Sequence, residues 1–240
     1  AARSAAAARA AAGMLLACRS CPSLAVAWAT ASELYDVAGD RAAADRLMGR
    51  ALQLGPSDPT VLYAAARLRT ARGDGPAAAE LLRKCVAADH YRYHPLAVDV
   101  LLRAGRPELA MALSSGRPEH AAALYFAIGE PSTDAEAAAR SAAVAAMRAA
   151  CERGEVKPSV AAIAGREAAF AGDHAGAIRY LRQALAGNPS VVPWRVALAL
   201  SMAATGEVDA ARDELLVCLR LEPQNRWARS ELNKLRDGRR

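Results

Sequence analysis

Apolar and polar positions repeat at a fixed interval along much of this chain. Between Pro158 and Pro223, small and apolar residues recur three and four apart, the spacing that gathers side chains on one face of an α-helix. In the first of two near-copies, Ala164-Gly165 precede a Gly172-Asp173 turn, followed by Ala177, Leu181, Ala184 and Pro189. In the second, Ala199 precedes Gly206-Glu207, followed by Ala211, Leu215, Cys218 and Pro223. Corresponding residues lie 34 apart (206−172, 211−177, 215−181, 218−184, 223−189). The pattern predicts two helical hairpins in tandem, residues 158–191 and 192–225, each turned by a glycine and closed by a proline.

The same frame fits residues 23–56 and 57–90. Trp28, Ser32 and Tyr35 share one helix face, Gly39-Asp40 make the turn, Ala44, Met48 and Ala51 follow, and Gly55-Pro56 stop the second helix. The next unit repeats this with Leu62, Ala66, Gly73, Ala78, Leu82 and Cys85. Ala10, Met14, Ala17 and Pro22 lie 34 before Ala44, Met48, Ala51 and Pro56, so residues 1–22 are predicted as the second helix of a hairpin without its first. From that half repeat we expect the chain to be part of a longer protein. Over 91–157 the frame blurs, since Gly73 to Gly172 spans 99 residues, three short of three periods. Punctuation there predicts helices over 95–104, 107–113 and 118–128, with Gly-Arg-Pro-Glu twice placing proline in a first turn. Ser132-Thr133-Asp134 then cap an alanine-rich helix to about Glu152. We read two degenerate hairpins in one continuous stack, with a break into two stacks as the alternative. Residues 226–240 are expected to form a capping helix and tail, with Trp227, Leu232 and Leu235 inward, Arg226, Arg229, Lys234 and Arg236 outward, and Asp237–Arg240 frayed.

This 34-residue unit, with its small residue in the first helix, turn glycine and closing proline, resembles the tetratricopeptide repeat family. It departs from that pattern at Arg69, where an aromatic is usual, and at His90, where proline is usual. The resemblance implies an all-α fold, a right-handed α-solenoid of helical hairpins with a C-terminal capping helix, forming one domain over 1–240. It also implies that first helices line a concave groove, where family members generally bind peptides or protein segments. The groove positions would be Ala29, Glu33 and Asp36; Tyr63, Arg67 and Thr70; Ala162, Arg166 and Phe170; Val196, Leu200 and Ala204. The Lys, Asn and Arg set with which carboxylate-clamp members hold a peptide C-terminus is lacking, which disfavours that mode. A non-catalytic protein-interaction scaffold with a protein or peptide partner is the expected function. The alternative is an accessory domain, outside the cytoplasmic membrane, of a bacterial O-antigen ligase-like or polymerase-like membrane protein, to whose soluble repeat domains the irregular middle is loosely similar.

Composition agrees with helices and narrows the chemistry. Hydrophobic residues make up 53% of the chain, largely alanine, with only two Phe, three Trp and six Tyr. Alanine favours helix and close helix approach, and scarce aromatic and β-branched residues argue against sheets. The formal charge is +6 and only Lys84, Lys157 and Lys234 are lysines. The arginines are dispersed, with a modest cluster at 226–240, so basic RNA binding stands third among the readings. No window supplies 18 uninterrupted apolar residues, no signal-peptide pattern opens the chain, and the compartment is left open between cytoplasm and periplasm. Cys18-Arg19-Ser20-Cys21 falls at a helix C-terminus, the wrong end to stabilise a thiolate, and is read as a bystander. Cys85 and Cys218 occupy the repeat's small buried position. His90 and His94 flank Tyr91-Arg92-Tyr93, and Pro95 argues against the helix that would make them neighbours, so a polar aromatic loop is expected. We expect no enzyme, cofactor or metal.

Overall fold

The computed structural model describes residues 2–154 and 156–236; the tail Asp237–Arg240 lies outside the described residues. The chain is all-α, with fourteen helices and no strand among the described residues. They are α1 (Ala2–Ser20), α2 (Ala25–Ala38), α3 (Arg41–Leu54), α4 (Pro59–Ala71), α5 (Gly75–Ala88), α6 (His90–Arg103) and α7 (Pro107–Ser114), followed by α8 (Pro118–Ile128), α9 (Asp134–Arg153), α10 (Pro158–Phe170), α11 (His174–Gly187), α12 (Val192–Ala204), α13 (Val208–Leu221) and α14 (Arg226–Arg236). They fall into two compact units, Ala1–Ser114 with Glu130–Ala139, and Ser115–Gly129 with Arg140–Arg240.

Each unit is a short stack of hairpins. In the first, α2 packs on α3, α4 on α5 and α6 on α7, while the first helices touch in order, α2 on α4 and α4 on α6. In the second, α10 packs on α11 and α12 on α13, with α8, α10 and α12 in contact in turn and α14 laid on α13. The turns are alike. Asp40 donates its backbone N–H to the Tyr35 carbonyl across Gly39, and Asp173 does the same to Ala168 across Gly172. Both glycines hold positive φ, 98° and 79°, which closes a helix in the left-handed conformation at no Cβ cost. The following aspartate then caps the second helix: Asp40 accepts from Ala43 N (2.9 Å) and Asp173 from Gly176 N (2.9 Å).

The core repeats with the hairpins. Ala44, Ala78, Ala177 and Ala211 are fully buried on the second helices, as are Leu82, Leu181 and Leu215 one turn later, with Met48 in the equivalent place. Ala51, Cys85, Ala184 and Cys218 complete the same face. Opposite them sits the small residue of each first helix. Ser32 is buried and donates to the Ala44 carbonyl (2.7 Å), and a Cβ on Gly165 would meet Leu181 Cγ at 2.7 Å. Burial pushes the Cys85, Cys151 and Cys218 thiols up to about 11.

Three expectations are corrected. His90 to Pro95 is not a loop but the start of α6: Asp89 caps it by accepting from Arg92 N (3.1 Å), and buried Tyr93 reaches Thr60 Oγ1 (3.2 Å). These anchors hold the turn that Pro95 would otherwise disfavour, at the cost of the bond its nitrogen cannot give. His94 is buried with its Nε2 on Ser114 Oγ (3.0 Å), a packing role between α6 and α7. In α1 the buried face is Ala7, Ala11 and Cys18, not Ala10 and Ala17, so the register is one residue off the 34-residue frame. The register is set where Cys18 packs against Ala27 and Ala31 of α2. In α14, Trp227 is half exposed; Ala228 takes the fully buried place, where a small residue permits close approach to α13.

Candidate groove

In the first unit, α2, α4 and α6 together form a groove of about 600 Å³. Its lining includes Glu33 and Asp36 from α2, Tyr63, Arg67 and Thr70 from α4, and Asp99 and Arg103 from α6. The helices place one residue in the same relation to each turn: Glu33, Arg67 and Asp99 each stand six before a turn glycine (39−33, 73−67, 105−99). Five of the residues named from sequence therefore share one concavity. Asp99 and Arg103 were missed because counting in 34-residue steps loses register where Gly73 and Gly105 are only 32 apart. Counting back from each turn glycine would have found Asp99.

The charges of the groove are paired but open to solvent. Arg67 Nη1 lies 3.0 Å from Glu33 Oε1, and Arg103 Nε lies 2.8 Å from Asp99 Oδ1. Beneath them Arg72 bridges Asp36 (3.3 Å) and Asp45, tying α2 and α3 to the end of α4. Burial raises the Glu33 carboxyl above its ordinary value, with Arg67 offsetting only part of the shift. Tyr63 sits amid this set: burial raises its phenol pKa, and the charges of Arg67, Asp99, Glu33 and Arg103 all act on it. Its ring lies 5.9 Å from that of Tyr93. The Thr70 hydroxyl is turned back onto its own helix, donating to the Ala66 carbonyl (2.9 Å).

The candidates of the second unit behave differently. Arg166, Phe170 and Leu200 are exposed, Phe170 at 79% the most open of the large apolar residues named there. Val196 is not a surface residue. It is fully buried, and Ala29 and Ala162 at the same place in their helices are buried too. Ten residues before the turn glycine (39−29, 172−162, 206−196) a side chain packs into the stack, and only a long one such as Tyr63 reaches the groove. The second unit also holds a polar cluster that sequence reasoning did not anticipate. Tyr125 donates to Glu167 Oε1 (2.5 Å), Arg140 donates to the Tyr125 hydroxyl (2.9 Å), and the guanidinium carbon stands 4.5 Å from the Tyr125 ring centroid. This joins α8, α9 and α10. Among the described residues no group of three His, Cys, Asp or Glu is placed to hold a metal ion.

A tetratricopeptide repeat family model matches residues 170–232, the part of the chain holding α11, α12, α13 and most of α14. No curated protein matches the sequence. Among solved structures, the chain is similar to one in the APC/C hetero-tetramer Cut9-Hcn1, at 16% identity with a TM-score of 0.46, covering 94% of this chain and 46% of that one. It is similar to Pseudomonas aeruginosa pilF at 17% identity, TM-score 0.43, over 88% of this chain and 97% of that one. It is also similar to YrrB, described as a tetratricopeptide repeat protein with an unusual peptide-binding site, at 14% identity, TM-score 0.36, over 92% and 97%.

Proposed function

We propose that this chain is a protein-interaction module that takes an extended segment of a partner protein in the groove of α2, α4 and α6. The observation carrying the proposal is that groove: three successive first helices bring Glu33, Asp36, Tyr63, Arg67, Asp99 and Arg103 into one concavity of about 600 Å³. Rigid helices hold the charges in register, and an aromatic flanked by arginine is the composition that anchors protein contacts. Arg67, Arg72, Arg140, Arg179 and Arg195 each pair with an acid on a neighbouring helix, so part of the dispersed arginine ties the stack together.

The test is a selection from a displayed random-peptide library against the whole chain, with enriched peptides measured by titration calorimetry. Tyr63→Ala and Arg67→Glu should each weaken binding by about tenfold or more, as truncating an anchor does. Enriched peptides that bind the parent and both variants equally refute the groove.

A further inference from the structure

The groove presents its charges in a sequence. At the place six residues before the turn, α2 carries Glu33, α4 carries Arg67 and α6 carries Asp99, so adjacent first helices alternate acid, base, acid. Packed helices stand about 8–10 Å apart. An extended chain advances about 3.3 Å per residue. A strand crossing the three helices therefore meets a new groove charge at about every third residue. Resting on the groove reading above, we propose that the partner segment is extended and carries basic, acidic and basic side chains at every third position.

The local geometry suits such a ligand. Glu33 and Asp36 are the deeper groups, with 33% and 25% of their side chains exposed, and Arg67 and Arg103 stand at the rim with 55% and 80% exposed. A long basic side chain reaches the acids on α2, while a shorter acidic one meets Arg67 at the rim. The existing pairs do not block this. An arginine has five N–H donors and a carboxylate about four lone-pair sites, so one ion pair leaves capacity for a ligand's contact. Glu33, short of full compensation, gains from an added cation. Basic-acidic-basic reads the same in both chain directions, so the pattern holds whichever way the segment runs.

The experiment uses three end-blocked peptides and NMR titration of the whole chain. One is Lys-Gly-Ser-Glu-Gly-Ser-Lys, the second has the same composition with its three charges contiguous, and the third is the inverse, Glu-Gly-Ser-Lys-Gly-Ser-Glu. The spaced basic-acidic-basic peptide should bind about tenfold more tightly than its contiguous isomer, since each exposed pair contributes little and three act together. The shifts should fall in α2, α4 and α6. A triple variant, Glu33→Arg with Arg67→Glu and Asp99→Arg, should switch preference to the inverse peptide while its circular dichroism matches the parent. Equal binding of the spaced and contiguous isomers, or no switch in the triple variant, overturns the proposal. If library-selected peptides still depend on Tyr63 or Arg67, only the charge spacing falls; if they ignore both Tyr63→Ala and Arg67→Glu, the groove reading falls as well.

Discussion

Gly165→Ala is the sharpest test of how the hairpins are held. Gly165 lies inside α10, with no positive φ, so alanine there gains helix propensity of about 1 kcal/mol. Against this stands the space available. The new Cβ would lie 2.7 Å from Leu181 Cγ, 3.1 Å from its Cδ2 and 3.2 Å from its backbone nitrogen. Leu181 is fully buried, so its branch carbon has no open side to move into, and a backbone nitrogen moves only with its helix. Overpacking of this kind costs about 1–3 kcal/mol. The net is a destabilisation of about 1 kcal/mol, or a fall in melting temperature of about 2–4 °C for a chain of this size. Gly49→Ala is the matched control: it lies in α3, is exposed, and a Cβ there meets nothing within 4 Å, so the propensity gain stands alone and the melting temperature rises. Thermal unfolding followed by far-ultraviolet circular dichroism reads both. If Gly165→Ala stabilises the chain as Gly49→Ala does, α10 and α11 do not approach as closely as the stack requires.

Two further predictions concern titration and access. Cys21 is exposed while Cys18, Cys85, Cys151 and Cys218 are buried, so brief alkylation of the native chain at pH 8 should mark Cys21 alone by mass spectrometry. Labelling of Cys218 at the same rate would contradict its raised pKa and its place in the core. Tyr180 donates to Glu152 Oε1 (2.7 Å), and burial, then that bond and the carboxylate charge, push its phenol up to about 12. The folded state thus favours the neutral phenol, so its stabilisation is complete below about pH 10, the unfolded value, and is lost as pH rises through about 12. Urea midpoints should fall across that window, and Tyr180→Phe should make the fall shallower; an unchanged slope would remove Tyr180 as a cause.

What could be read from sequence tracks what each residue does physically. Turn glycines, capping aspartates and the small residues of the helix interface are legible because each position tolerates few alternatives, and Gly39, Asp40, Ala44 and Ala51 are spaced as a hairpin demands. The opening of α6 was not legible, because local preference at Pro95 points away from helix while Asp89, Tyr93 and the His94–Ser114 bond favour it. Only the fold brings the last pair together across 20 residues. Trp227 misled for a similar reason: its size suggested the core, whereas the close contact of α14 admits Ala228 and leaves the indole outside. At the groove, a helix wheel identified Glu33 and Arg67 but could not separate Tyr63 from Val196, which share a place and differ in reach.

That last distinction bears on how a repeat of this kind can carry specificity at all. Residues that pack the hairpins, such as Ala177, Leu181 and Ala184 and their counterparts, are fully buried and constrained by volume. The residue six before each turn glycine is free of that constraint, and it changes from hairpin to hairpin: Glu33, Arg67 and Asp99 in the first unit, Arg166 and Leu200 in the second. Substitution there alters charge and leaves the buried core contacts in place, although Arg67→Glu alone also breaks the ion pair that joins α4 to Glu33 of α2. Groove charge and core packing are therefore carried by different positions along this chain. This is why charge reversal at Glu33, Arg67 and Asp99 can probe recognition while Gly165→Ala probes the fold.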